Sequence, residues 1–224
     1  MAENDLEYLK DFILFSELNN KQLTEISKLI KTKTYPAGYT LFQEGDNGDR
    51  VFFLKEGKVK VMKTKMDGSV QILEIIQPGD VFGEVVLFGI SEYPASVRTL
   101  EEIKVDFLYK NDFKNYFNKN PQIGWGMLKV MAGKLAKAQH RIENLGLRNT
   151  KGRIARLIMD MIKDFGNKQN EFILDISQKD LANFIGTSRE TVSRTLSEFR
   201  KNNLVEMTDS KLIVKDIEGL KNYL

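Results

Sequence analysis

The sequence predicts an α+β protein: an antiparallel β-barrel or jelly roll, then one long helix, then a helix-turn-helix with a β-hairpin wing. Three observations predict it. Between Gly38 and Tyr109 short apolar strings alternate with glycine-containing turns, the pattern of many short strands closing on one another. From Pro121 to about Leu145 apolar residues recur at spacings of 3 and 4, as in a coiled-coil seam. From Ser177 to Asn203 two short helical patterns flank Gly186.

Taken in order, Asp5 to Lys33 reads as two short helices. Leu23, Ile26, Leu29 and Ile30 repeat at helical spacing after a capping break at Asn19-Asn20. At Pro36 the period changes. Tyr39–Phe42, Val51–Leu54, Val59–Met62 and Val70–Ile76 are the strand candidates, separated by Gly45-Asp46, Gly57, Asp67-Gly68 and Pro78-Gly79. Val59 and Val61 alternate with Lys58, Lys60 and Lys63, as strands wet on one side should.

Pro121 opens the long helix. Leu128, Met131, Leu135, Ala138, Ile142 and Leu145 follow a strict 3, 4, 3, 4, 3 spacing, which predicts a dimer seam, while Trp125 and Ala132 offer a second face that can lie on the barrel. Asn149-Thr150-Lys151-Gly152 breaks the helix, and Arg153 to Phe165 carries Ile154, Leu157, Ile158, Met161 and Ile162 on one side. Phe165 to Glu171 is a polar loop. Phe172 to Ile176 is a strand.

Ser177 and Asp180 then stand in S-x-x-D spacing, so a hydroxyl caps a free backbone N–H and a carboxylate meets the positive end of a new helix. Leu181, Ala182, Phe184 and Ile185 give that helix its apolar side, and Gly186 supplies the backbone freedom to leave it. Thr187 and Ser188 form the turn and next N-cap. The second helix begins at Arg189 with Val192, Leu196 and Phe199 on one side, and Arg189, Glu190, Ser193, Arg194 and Ser197 on the other. A guanidinium fork matches guanine O6 and N7, and a carboxylate accepts from the cytosine N4 amine. Arg189, Glu190 and Arg194 therefore place both kinds of reader within about one and a half turns. Thr208-Asp209-Ser210 and the strand Lys211–Val214 complete a wing.

SQKDLA, TSRETVSRTL and the wing resemble the CRP/FNR family of bacterial transcription regulators. The resemblance extends to the barrel through the glycines at 38, 45, 57, 68, 79 and 83 and through GDVFGE at 79 to 84, which is similar to a cyclic-nucleotide-binding domain. It implies base reading by Arg189, Glu190, Ser193 and Arg194 on an inverted repeat close to TGTGA or TTGA. Ser177, Gln178, Thr187, Ser188, Thr191 and Lys211 are candidate phosphate contacts. It also implies RNA polymerase as a partner, and a barrel signal that rotates the DNA-binding domains about a hinge near Leu147 to Gly152.

The effector site departs from the family. Gly83 and Glu84 match the pair that cradles phosphate and ribose, but the Arg-Ser pair expected before Ser96-Val97-Arg98 is replaced by Tyr93-Pro94-Ala95. A cyclic phosphate stays anionic at neutral pH, and burying it without a cation is costly. The helix position that grips the base reads Ala138-Gln139. Gly83, Glu84, Tyr93, Arg98, Ala138 and Gln139 are thus the candidate effector pocket, without the usual cyclic AMP chemistry; Gly83 and Glu84 read as structural rather than ligand-binding, and the signal is left open between another small molecule and none.

Composition narrows the alternatives. Cysteine is absent and His140 is the one histidine, which removes disulfides, thiolate catalysis, iron-sulfur clusters and histidine-rich metal sites. An enzyme is not expected. A haem-dependent gas or redox sensor would need His140 with Met62 or Met66 as axial ligands, and His140, at heptad position f, reads instead as a solvated side chain. A nucleotide-binding module without specific DNA readout is the other alternative. Residues 148–224 hold 14 basic and 11 acidic side chains against 20 and 20 before them, so the excess charge lies where phosphate contacts need it. With neither a signal pattern nor a spanning apolar run, the protein is expected in the cytoplasm without membrane contact. The expected division is a sensory barrel at 1–120, a dimerisation helix at 121–147 and a winged helix-turn-helix at 148–224.

Overall fold

A computed structural model describes residues 8–146, 149–165, 172–208 and 211–224. The chain falls into two compact units, residues 1–63 with 73–136, and residues 64–72 with 137–224.

The first unit opens with 3-10 turns at Tyr8–Asp11 and Ile13–Phe15, then helix α1, Asn20–Ser27. Asn19 and Gln22 cap its start reciprocally, each side chain accepting from the other's backbone N–H at 3.0 Å. Two helices were expected up to Lys33, but the chain is already in strand β1 at Lys31–Tyr35. The reason is tertiary. β1 reads KTKTY with four exposed residues, so nothing in its own pattern marks a strand; its antiparallel pairing with residues 103–107, from Lys31↔Phe107 to Tyr35↔Ile103, makes it one.

The other strands are β2 (Thr40–Phe42), β3 (Arg50–Glu56), β4 (Val59–Thr64), β5 (Val70–Ile76), β6 (Val81–Phe82), β7 (Ser96–Thr99) and β8 (Ile103–Tyr109). Among the described residues they form two four-stranded sheets, ordered β1-β8-β3-β6 and β2-β7-β4-β5. This is the expected jelly roll. Its lumen is aromatic: Phe42, Phe52, Phe82, Tyr93 and Phe107 are all buried in one cluster with Leu54, Ile76 and Val97. A second cluster packs the N-terminal turns and α1 on the outside of the barrel through Leu14, Phe15, Leu23, Ile26 and Phe53. The buried Asp106 carboxylate fixes this layer, accepting from Tyr8 Oη at 2.7 Å and Thr32 Oγ1 at 2.6 Å.

Helix α2, Lys110–Lys119, follows β8 directly. It was not expected, because its sequence KNDFKNYFNK buries only Phe113 and Tyr116. Helix α3 then runs from Ile123 to Gly146. One face joins the outer core through Ile123, Met127 and Val130. Gly126 makes this approach feasible, since a Cβ there would stand 2.1 Å from the Leu14 carbonyl oxygen. The other face leaves Trp125 (66%), Leu128 (59%), Leu135 (61%) and Ile142 (69%) exposed, so Trp125 and the exposed Ala132 do not form the expected barrel-facing side.

In the second unit, helix α4 spans Thr150–Phe165. It begins three residues earlier than expected, because Asn149 Oδ1 accepts from Gly152 N at 2.9 Å and starts the helix inside the expected break. Strand β9 (Phe172–Asp175), helices α5 (Gln178–Ile185) and α6 (Arg189–Lys201), strands β10 (Val205–Met207) and β11 (Lys211–Val214) and helix α7 (Ile217–Lys221) follow. β11 lies between β10 and β9 in one antiparallel sheet. The expected loop at 166–171, the wing tip Asp209-Ser210 and hinge residues Leu147 and Arg148 lie outside the described residues.

Candidate nucleic-acid interface and effector site

Helices α5 and α6 are built as their caps require. Ser177 Oγ accepts from Asp180 N at 3.1 Å and donates to Asp180 Oδ2 at 2.6 Å. Gly186 ends α5 at φ +69°, a left-handed backbone that side-chain-bearing residues rarely adopt. Two residues later Ser188 Oγ accepts from Thr191 N at 3.2 Å and begins α6. Val192, Leu196 and Phe199 are buried with Leu181, Ala182 and Ile185. That packing fixes the rotation of α6 about its axis.

With the apolar side turned in, Arg189, Glu190 and Arg194 are exposed and Ser193 is half-buried between them. Glu190 carries its charge at neutral pH. A hydrogen bond from its own backbone N–H at the helix start, then one from the Ser188 hydroxyl, hold its carboxyl below the usual range, and the Arg189 and Arg194 guanidinium groups add to this. An ionised carboxylate is acceptor-only, the state that can take a hydrogen bond from a cytosine amine.

The phosphate candidates divide. Ser188 and Lys211 are exposed; Ser177, Gln178, Thr187 and Thr191 are half-buried. The Ser177 hydroxyl is engaged by Asp180, and those of Ser188 and Thr191 lie 3.0 Å from each other. The Thr191 backbone N–H is likewise taken, donated to Ser188 Oγ at 3.2 Å.

In the barrel, Gly83, Glu84 and Tyr93 come together. Gly83 sits at φ +72°, and a Cβ there would lie 3.2 Å from the Tyr93 ring and 3.3 Å from that of Phe52. Glu84 is 4% exposed; Oε1 is 2.8 Å from Lys134 Nζ, and Oε2 is buried without a hydrogen-bond partner. Lys134 was missed in the sequence because it stands 50 positions away on α3. Tyr93 stacks on Phe42 with ring centroids 3.7 Å apart and donates to the Arg50 carbonyl at 2.8 Å. Arg98 is exposed, donating from Nε to the Gly38 carbonyl at 2.9 Å. Ala138 and Gln139 are exposed on α3. The side chains of His140 and Leu145 lie outside the described residues, and neither Met62 nor the exposed Met66 belongs to the aromatic cluster of the lumen.

Comparison with known proteins agrees with both halves. Residues 32–120 match the cyclic nucleotide-binding domain, and residues 152–223 match the Crp-like helix-turn-helix domain. A CRP-like cAMP-activated global transcriptional regulator of Mycobacterium tuberculosis is 26% identical over 210 residues, covering 92% of this chain and 94% of the relative. The anaerobic regulatory protein of Bacillus subtilis is 28% identical over 204 residues, covering 89% and 86%. The fold is similar to that of the c-di-GMP responsive global regulator CLP of Xanthomonas campestris, with a TM-score of 0.79 at 18% identity over 88% of this chain and 100% of that one. The Mycobacterium tuberculosis relative is a transcriptional regulator. A barrel of this type, followed by a Crp-like helix-turn-helix and matched to such regulators along nearly its whole length, places the chain in the CRP/FNR family of transcription regulators.

Proposed function

We propose that the protein acts in the cytoplasm as a homodimer that binds an inverted repeat close to TGTGA or TTGA and acts on RNA polymerase there. The observation that carries this reading is the outward display of Arg189, Glu190 and Arg194 on a helix whose other side is buried. In this reading Arg189, Glu190, Ser193 and Arg194 contact bases. Ser177, Gln178, Thr187, Ser188, Thr191 and Lys211 contact phosphates. The functional division is 1–120 for sensing, 121–147 for dimerisation and 148–224 for DNA, with the hinge at 147–152.

A second copy of the chain is the natural cover for the exposed stripe of α3. Leu128, Leu135 and Ile142 keep heptad spacing, and at its N-terminal end the stripe continues into an apolar groove of about 620 Å³ lined by Val85, Phe88, Ile90, Trp125 and Met131. Two such helices pack by knobs into holes. They then present two recognition helices about one duplex turn, ~34 Å, apart.

Arg194→Ala is the direct test. It should weaken binding to a duplex carrying the inverted repeat by about 1 to 3 kcal/mol and relax preference at one base pair of each half-site, with little effect on the melting temperature because the side chain is exposed. Anisotropy titrations against duplexes varied at each position measure both effects. Unchanged affinity and preference would instead favour a sensor module without specific readout.

A further inference from the structure

The barrel fills its own lumen. Tyr93 is 4% exposed and continues a stack in which Phe42, Phe52 and Phe82 follow at centroid distances of 3.7, 5.5 and 5.0 Å. Backbone hydrogen bonds from Tyr93 N to Asp46 O and from Gly45 N to Tyr93 O, both 2.9 Å, hold the ring in register, and the phenol ends on the Arg50 carbonyl. The close approach allowed by Gly83 serves this ring, since a Cβ there would press on Tyr93 and Phe52.

Among the described residues, the cations near this ring are committed elsewhere: Lys134 Nζ is 2.8 Å from Glu84 Oε1. Arg98 faces solvent. Arg50 is closed in a bidentate pair with Asp49, at 2.6 and 2.9 Å, and lies over the rings of Phe107 and Tyr109. A cyclic nucleotide would have to displace a stacked aromatic ring and then bury its charge against the neutral phenol or the Arg50 carbonyl. Each step is unfavourable.

We propose that Tyr93 is a built-in occupant of the barrel, standing in place of a diffusible cyclic nucleotide and holding the sensory half in one state without it. The proposal rests on the regulator reading only for its DNA readout. With purified full-length protein, cyclic AMP, cyclic GMP and cyclic di-GMP should each leave the melting temperature and the affinity for the inverted-repeat duplex unchanged. A nucleotide held at about 100 times its Kd would raise that temperature by several degrees. Tyr93→Ala should melt lower and be raised again by p-cresol, which fills the vacated ring site and leaves the wild type unmoved, as small aromatics fill engineered apolar cavities. Tyr93→Phe keeps the ring and should melt close to the wild type. If Tyr93→Ala folds only when p-cresol is present, that is the same result.

A rise in wild-type melting temperature with any of the three nucleotides would overturn the proposal, as would a folded Tyr93→Ala indifferent to p-cresol. Failure of the wild type to bind DNA under every condition would count against the regulator reading instead, leaving the melting results to stand.

Discussion

Leu135→Glu is expected to yield a monomer whose affinity for a two-half-site duplex has fallen by about 10²- to 10⁴-fold, the factor by which linking two binding modules exceeds one module alone. Leu135 is 61% exposed in the single chain and occupies the middle of the stripe between Leu128 and Ile142. Across a two-fold axis a seam residue meets its own copy. The substitution therefore removes two apolar contacts and sets two carboxylates against each other. Affinity for a single half-site should stay unchanged, because the residues on α6 are untouched. Sedimentation equilibrium measures the first effect, and titrations with one-site and two-site duplexes separate the other two. Trp125 adds a spectroscopic reading. It is the one tryptophan in the chain and is 66% exposed in the single subunit, so its emission should shift to longer wavelength as the dimer is lost. A variant that stayed dimeric, with both affinities unchanged, would remove α3 as the pairing surface.

Elements whose own side chains carry their pattern are legible in the sequence. The S-x-x-D start of α5, the left-handed Gly186 and the capping Ser188 are local chemistry, and each was found where it was expected. The strands from Thr40 to Ile76 were readable for the same reason, since turn residues bracket apolar runs. What failed was set by partners distant in sequence. β1 is polar and becomes a strand by pairing with residues 103–107, and α2 is a helix whose two buried aromatics are too few to declare a period.

The effector region shows the same limit more sharply. The Tyr93 departure was visible, as was its cost to phosphate binding, but the direction of the ring was not. Only the fold shows that Tyr93 turns into the lumen to meet Phe42, while Arg98, five residues on, turns out to the Gly38 carbonyl. The Glu84–Lys134 ion pair joins a turn in the barrel to a helix face. A sequence pattern relates neighbours along one element and carries no information about such a pair.

Phe199→Ala should destabilise the DNA-binding unit by about 3 to 5 kcal/mol, the usual cost of removing a fully buried aromatic ring. Phe199 is 0% exposed, closes the apolar side of α6 below Val192 and Leu196, and meets the Tyr223 ring edge-on with centroids 4.8 Å apart. Domains of this size are stable by only about 5 to 15 kcal/mol, so the loss takes a large share of the total. Recognition fails with it, because the orientation of Arg189 and Arg194 depends on that packing. The two units can be followed separately in one sample. Trp125 belongs to the unit containing residues 73–136, so its fluorescence follows the barrel, while far-ultraviolet circular dichroism follows both units. In urea the variant should lose part of its dichroism at a lower midpoint and the rest, together with the Trp125 transition, at the wild-type midpoint. If both signals moved down together, the barrel and the DNA-binding unit would unfold as one cooperative body, and the proposed division near residue 148 would describe function without describing folding.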